Sequence, residues 1–397
     1  MRLGIIGLGT VGEGVLEILS TEENNFKNKG IDLEVLYACD INLDRGFSFE
    51  FDKSILTKDF NDILNDEKVD TVVELIGGET IAKHIIVEAI KKGKNVITAN
   101  KALLAKHAKE IFSLAKEKQV NIFYEASVGG GIPIISPLQE SLIANNILGI
   151  RGIINGTANY ILSEMKEKNL DFDTVLKDAM KKGYAEADPT YDIEGIDTAH
   201  KICVLASLAF NSYIDFDKVI ISGISKIDSI DIQIAEKLGY NIKLIASAKY
   251  LGEKLAVEVA PTLLSNKELL ANVDNVFNAI EVESDYAGTS LFYGRGAGKD
   301  ATASAVVADI VKASKESPFR ERYYFNLEDE ADLINENQLI GTYYLRIETS
   351  DFKEEIRDLS FKVFEEDKYT ILITNKIKRA DLMAYLENKN YTLLNVN

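Results

Sequence analysis

Basic residues are in short supply in this chain. Its 45 Lys+Arg are outnumbered by 63 Asp+Glu, which leaves a formal net charge of −18 on 397 residues and a pI near 4.8. Affinity for DNA or RNA rests on neutralising phosphates with Lys and Arg, so nucleic acid drops out as a main partner. Cysteine and histidine are scarcer still. Cys39 and Cys203 stand far apart with no Cys-x-x-Cys, and there are three histidines. That excludes a disulfide framework and a Cys/His zinc site, and it fits a reducing cytoplasm. Long apolar runs are missing too: a stretch such as Ile202 to Phe210 is interrupted by Ser207 and is far shorter than a membrane span. A strand-like run begins at Arg2, leaving no room for a charged region, an apolar region and a cleavage site. The expectation is a soluble cytoplasmic protein without a membrane partner. Apolar material itself is plentiful: 46% hydrophobic content over this length supports two or three domains with sizeable cores.

Residues Arg2 to Ile6 lead into Gly7-Leu8-Gly9-Thr10-Val11-Gly12, and a helical pattern follows from Gly14. Strand, glycine loop and helix in this order suit a dinucleotide. Gly7 permits the tight turn, Gly9 lets a pyrophosphate approach the backbone, and Gly12 lets helix and strand pack closely. The next strand, Leu33 to Cys39, ends in Asp40, whose carboxylate can accept adenosine ribose hydroxyls and would repel a 2′-phosphate. This favours NAD over NADP. Asp40 could equally open the Asp40-Ile41-Asn42 turn, and Arg45 nearby could meet a phosphate.

Alternation then continues: strand Thr71 to Leu75, helix Ile81 to Lys91, strand Asn95 to Thr98, helix Ala102 to Lys118, strand Val120 to Tyr124. Repeated β and α predict a parallel doubly wound sheet with ligands at the carboxyl ends of its strands. Glu74 with Gly77-Gly78, Asn100-Lys101, and Glu125 with Ser127 to Gly131 occupy those ends. Lys101 falls between a strand end and a helix start, where an ammonium could meet a substrate carboxylate or the reacting oxygen. It could also be a surface lysine opening a helix.

Two glycine-rich stretches, Gly129 to Gly131 and Gly149 to Gly152, mark the change to a second domain. Asn155-Gly156-Thr157 reads as a polar turn between a strand and an apolar helix, near a ligand. Further on, Glu186, Asp188, Asp192, Glu194 and Asp197 crowd one loop that leads into a helix. Such a loop can be plain solvated turn, with Asp197 capping the helix. The helix itself argues for more. Asp197 and Lys201, at i and i+4, share a face, and from Ile202 onward the helix is apolar on nearly all sides, hence buried. Lys201 then lines a cleft, with its pKa lowered by burial and raised by carboxylates, in range for proton transfer. The alternative is a buried Asp–Lys pair of structural value. His200 and Cys203, at i and i+3, could form a nucleophile pair, but a cysteine inside an apolar helix is ordinarily inert.

Together these segments resemble homoserine dehydrogenase. The resemblance covers residues 1 to about 320. It is carried by Gly7 to Gly12, Thr98-Ala99-Asn100-Lys101, Glu125 through Pro133, Asn155 through Leu162 and Gly183 through Pro189, and continues through Asp197 to Lys201 and Gly294 to Gly298. It implies a Rossmann-type α/β domain over 1–130, completed by 294–320, and an α+β catalytic and dimerisation domain over 131–293. It also implies reversible, NAD- or NADP-dependent interconversion of L-homoserine and L-aspartate 4-semialdehyde on the route to threonine and methionine. Lys201 is then the acid/base lysine, Lys101 a second lysine at the reacting centre that also meets cofactor, and Glu186, Asp192 and Asp197 hold the substrate. Gly7, Leu8, Gly9, Thr10, Val11, Gly12, Asp40 and Gly298 meet the cofactor. Glu125, Val128, Gly130 and Ile132 match a loop for a monovalent cation such as sodium, and the assembly is a homodimer or homotetramer.

Residues 338–397, with a helix-like Ile377 to Leu386, resemble a small ferredoxin-like ACT-type tail. Its usual Asp-x-Pro-Gly ligand turn is replaced by Thr349-Ser350-Asp351-Phe352-Lys353. Without Gly the backbone cannot as easily close on an amino acid, so assembly rather than feedback is the expected role. Cys39 before Asp40, where relatives often carry a basic residue, departs from NADP use. Competing readings are a Cys-dependent semialdehyde dehydrogenase and a non-catalytic nucleotide-binding amino-acid sensor.

Overall fold

Short strands covered on both faces build the first sheet. In the computed structural model, which describes residues 1–44, 46–315, 319, 328–366, 368–387 and 389–397, these are β1 (Arg2–Ile6), β2 (Glu34–Cys39), β3 (Leu56–Thr57), β4 (Thr71–Glu74), β5 (Asn95–Thr98) and β6 (Ile122–Phe123). All pair in parallel, in the order β3-β2-β1-β4-β5-β6. The order reverses between β1 and β4, so their carboxyl ends frame a crevice, as in Rossmann-type sheets. The expected strand Val120 to Tyr124 shrinks to Ile122–Phe123 because Val120 turns back to donate to the Ala115 carbonyl at the end of the preceding helix.

The chain returns to this sheet late. Helix Lys299–Lys315 crosses helix Thr10–Thr21 at Gly14, where a Cβ would stand 2.9 Å from that of Ala303. Buried Asp309 on the returning helix accepts the N–H of Glu125 at 2.8 Å.

A larger sheet carries the rest: β7 (Ile147–Ile153), β8 (Ile220–Ile221), β9 (Tyr240–Leu251), β10 (Lys254–Ser265), β11 (Phe277–Ser284), β12 (Gly288–Arg295), β13 (Ile340–Glu348), β14 (Ser360–Glu365), β15 (Tyr369–Thr374), β16 (Ile377–Lys378) and β17 (Tyr391–Val396). Its main path runs β12-β11-β7-β9-β10-β17-β13-β15-β14. The β9–β10 hairpin is buried under helices Gly156–Lys168, Ile196–Ala209 and Ser229–Lys237. Among the described residues no helix is long and apolar enough to cross a membrane.

The last sixty residues extend this sheet rather than standing apart, since β17 pairs in parallel with β10 through Thr262–Asn395 and Leu263–Val396. Along β13, Tyr343, Leu345 and Ile347 pack toward Leu382 and Leu386, while Tyr344 and Arg346 face the other way. There they close on Asp231, which is fully buried: Tyr344 Oη donates at 2.6 Å and Arg346 Nε at 2.8 Å, and Nη2 reaches Oδ2 at 3.0 Å. A second buried pair joins Arg379 to Glu258 at 2.8 Å. The helix expected from Ile377 to Leu386 starts two residues late. Ile377 and Lys378 are spent pairing with Gly341 and Ile340, so the turns begin at Arg379.

Removing one partner of a buried pair strands the other charge. Asp231→Ala is therefore expected to cost about 3–5 kcal/mol, read as a lower midpoint in urea unfolding; an unchanged midpoint would show that the seam contributes nothing to stability.

Candidate active site

Steric necessity shapes the glycine loop. Gly7 has φ +95°, and a Cβ there would meet the Leu75 carbonyl at 2.7 Å; one on Gly12 would lie 1.8 Å from the Gly7 oxygen. Gly9, by contrast, opens onto empty space and precedes helix Thr10–Thr21 without a side-chain cap. Unclaimed amides at a helix start beside an open glycine fit a dinucleotide pyrophosphate. Thr10 is exposed and Val11 half-buried on that turn, whereas the Leu8 side chain is core. The Leu8 N–H donates to Asp40 Oδ2 at 2.7 Å, and Asn42 N–H donates to Oδ1 at 2.9 Å. Asp40 thus both forms its turn and faces the loop. Gly298, at φ +115°, precedes Lys299, whose Cγ would stand 3.1 Å from a Cβ at Gly14. Arg45 lies outside the described residues.

Across the crevice, two lysines meet one carboxylate. Helix Ile196–Ala209 begins after its N-cap Gly195, which sits in the left-handed region at φ +79°. Asp197, expected as a possible cap, sits inside the first turn with its side chain turned away from the backbone amides. Its Oδ2 accepts from Lys201 Nζ at 2.6 Å and from Asn155 Nδ2 at 2.9 Å, and Lys101 Nζ stands 3.0 Å from Oδ1. Lys201 also donates to the Ile154 carbonyl at 2.8 Å. Lys101 comes from the first sheet, as the opening residue of helix Lys101–Lys118 after β5. Asn155 binds Asp192 Oδ1 at 2.7 Å and caps helix Gly156–Lys168 through the Ala158 N–H. Glu186 is exposed on the acidic loop, and its charge reaches Lys101.

These contacts separate the protonation behaviour of the groups. Burial would raise the Asp197 carboxyl, but the two ammoniums outweigh it and hold the group well below the usual carboxylate range. Burial pulls Lys201 below the ordinary lysine value despite Asp197. On Lys101 burial works in the same direction but loses to the Asp197 charge, which leaves the ammonium favoured. Asp192 is raised by burial, against the pull of Asn155. The cluster therefore offers one lysine able to trade a proton and one held charged. Sequence reasoning gave Asn155 no role beyond a polar turn, and the Ile154 carbonyl carried no signal at all.

Cys203 and His200 do not pair. The thiol points to the Ile214 carbonyl at 3.2 Å, and burial pushes its pKa up to about 12. His200 stacks on Phe216 with ring centres 4.4 Å apart, and burial pulls it down to about 4. Neither is an activated nucleophile or base.

The loop after β6 is organised by Glu125. Its carboxylate accepts the N–H groups of Ile134, Ile135 and Ser136 at 2.6, 2.8 and 2.8 Å. Gly130, at φ +56°, packs where a Cβ would touch the Gly296 carbonyl at 2.4 Å. With that side chain committed, and Val128 and Ile132 contributing apolar buried side chains, only backbone carbonyls of this loop could face a cation. No group of three or more His, Cys, Asp or Glu among the described residues could hold a metal.

Comparison with known proteins bears on the whole chain. A family model described as "Homoserine dehydrogenase, NAD binding domain" matches residues 7–125, and one described as "Homoserine dehydrogenase" matches 133–311. A homoserine dehydrogenase of Neisseria gonorrhoeae is 43% identical over 359 residues, covering 88% of this chain and 82% of the relative. The crystal structure of a homoserine dehydrogenase from Thiobacillus denitrificans superposes with a TM-score of 0.91 at 36% identity, over 100% of this chain and 98% of that one. A hyperthermophilic archaeal homoserine dehydrogenase in complex with NADPH gives 0.67 at 27% identity, over 80% and 99%.

A proton-accepting lysine must be neutral to act, so the rate of alcohol oxidation should rise with pH through a midpoint below the ordinary lysine value of 10.5. Asp197 raises the Lys201 pKa, so Asp197→Asn is expected to move that midpoint lower still, along with reducing the rate. A midpoint that moves upward in a pH–rate profile of the variant would contradict the assignment.

Proposed function

This chain belongs to the homoserine dehydrogenase family, NAD(P)-dependent oxidoreductases that interconvert L-homoserine and L-aspartate 4-semialdehyde, and on that premise we propose what its residues do. The observation that carries the proposal is the Asp197 carboxylate shared at 2.6 and 3.0 Å by Lys201 and Lys101, beside the crevice of the dinucleotide sheet. Glu186 and Asp192 take the substrate ammonium. The primary alcohol lies at the two lysines. Lys201, neutral, accepts the hydroxyl proton on oxidation, and charged, returns it to the oxygen on reduction. Lys101, held charged, offsets negative charge growing on that oxygen in either direction. The nicotinamide, when bound, takes or gives the hydride. Asp197 keeps both lysine side chains in place and, with Asn155 and the Ile154 carbonyl, fixes the direction of Lys201.

The finer assignments are also proposals. Residues 1–130 with 294–320, of which 316–318 and 320 lie outside the described residues, form the cofactor domain, 131–293 the catalytic domain and 338–397 an ACT-type tail. The two sheets support the first division, and the last segment's order of strand, helical turn, two strands, the two-residue β16, helix and strand supports the tail. Asp40 supports NAD, while the archaeal relative in complex with NADPH supports the phosphorylated cofactor. Carbonyls of Glu125, Val128, Gly130 and Ile132 would hold a monovalent cation. Function on the cytoplasmic aspartate route to threonine and methionine, as a homo-oligomer, completes the reading.

Lys201→Ala is expected to lower turnover by about a hundred- to ten-thousand-fold, typical of a lost general acid/base, with cofactor affinity little changed. Homoserine-dependent reduction of NAD and of NADP, followed spectrophotometrically, checks this; near-normal turnover removes Lys201 from the mechanism, and a wild-type preference for NADP removes the Asp40 argument.

The tail should not respond to threonine. Where a ligand turn would sit, the chain makes a short turn over Thr349–Asp351 and a single helical turn over Glu354–Arg357, with no glycine to bring backbone to a ligand. Edge strand β14 instead exposes Phe361, 63% accessible, and open edges recruit partners. Threonine should leave the rate of the full chain unchanged, and Phe361→Lys should give a smaller assembly by light scattering. Strong threonine inhibition with unaltered mass in the variant would overturn both.

A further inference from the structure

We infer that Glu74 is a positioning residue for Lys101, acting through a hydrogen-bonded ring that clamps together the loops after β4 and β5. Glu74 ends a strand whose other residues are Thr71, Val72 and Val73, and it is fully buried. A central parallel strand ordinarily places apolar residues there, because a buried carboxylate is costly to desolvate. The partners of Glu74 are neutral: Thr98 Oγ1 donates to Oε2 at 2.7 Å, Ile76 N–H donates to Oε1 at 2.9 Å, and Gly77 N–H adds a third bond. Burial accordingly pushes this carboxyl upward. A group so placed does not add stability as an ion pair would.

What it holds is geometry. Thr98 Oγ1, while donating to Glu74, accepts the Asn100 N–H at 3.1 Å. Asn100 caps helix Lys101–Lys118 by accepting from Leu103 N–H at 3.1 Å, and its Nδ2 donates to the Gly78 carbonyl at 2.6 Å. Gly77 and Gly78, at φ +78° and +72°, carry the loop back from Glu74 to that carbonyl. The ring runs from Glu74 along 75–78, across to Asn100, down to Thr98 and back to Glu74. Lys101 is the next residue, and its ammonium must cross to Asp197 on the other sheet's helix, 3.0 Å away. Loosening the ring would leave Lys101 its charge but not its place.

The inference rests on the reading of Lys101 as part of the reacting centre, and the test separates the two. Glu74→Gln keeps the shape but not the full acceptor set, Thr98→Val removes the bridging hydroxyl, and Thr98→Ser restores it. Each is assayed for kcat, homoserine KM and thermal midpoint, and for affinity toward reduced cofactor by its own fluorescence. Glu74→Gln and Thr98→Val should lower kcat about ten- to a hundredfold, the scale of an ångström's misplacement, while cofactor affinity stays within about threefold and Thr98→Ser approaches wild type. If Glu74 acts through Lys101, then Glu74→Gln should add less than about twofold to the defect of Lys101→Ala, whereas independent effects multiply. Multiplying defects, or wild-type kcat in both Glu74→Gln and Thr98→Val while Lys101→Ala is crippled, would overturn the clamp alone. Wild-type turnover in Lys101→Ala would overturn the reading of Lys101 and the clamp with it.

Discussion

One carboxylate shared by two ammonium groups sets the terms for the rest of the molecule. Asp197 is buried, and burying it alone would be prohibitive; Lys201 alone would face the same penalty. Together they satisfy each other, but a pair closed on itself would be only structural. The third member changes this. Lys101 arrives from a different sheet, so the cluster forms only when the dinucleotide unit and the helix Ile196–Ala209 are brought to one crevice. The late helix Lys299–Lys315, crossing at Gly14 and tied to Glu125, docks the returning chain on the first of these parts.

Much of this was legible in the sequence where local sterics or periodicity dictate the outcome. Gly7 and Gly12 occupy positions where a Cβ would clash, and such constraints show in one sequence as glycines at set spacing within a strand-loop-helix pattern. The all-apolar continuation after Lys201 likewise announced a buried helix. Contacts made at long range left no comparable trace. Asn155 lies 37 and 42 residues from the two acids it bridges, and a backbone carbonyl at Ile154 has no side-chain identity to read. Asp197 was ambiguous for a physical reason: aspartate caps helices, but Gly195 in the left-handed region took the cap and freed the side chain for the lysines. Glu125 shows the converse, since its side chain is consumed by three amides and any ligand role falls to its backbone.

The tail obeys the same logic of long-range polar pairing. Its succession of strands and helices was expected from the resemblance to an ACT-type tail, but its continuity with the larger sheet depends on two residue pairs of β10 and β17 and on arginines sent into the main body. Arg346 and Arg379 are both almost wholly buried, and each meets a carboxylate from the other segment. Such a seam transmits position. Through Asp231, β13 is tied to helix Ser229–Lys237, which packs on the same β9–β10 hairpin as helix Ile196–Ala209.

A buried ion pair is weak evidence for stability, because well-packed apolar residues of similar volume often do as well or better. The same cost becomes intelligible when the groups must change protonation during turnover. Asp197 is driven toward its charged form and Lys201 toward its neutral form, while Lys101 is kept charged, although all three lie within a few bond lengths. Groups pushed apart in this way can pass a proton and stabilise an oxyanion at one pH, which three solvated side chains of the same kinds could not. An apolar replacement would pack, and on the proposed roles of Lys201 and Lys101 it would leave the substrate oxygen with neither a proton acceptor nor a fixed charge.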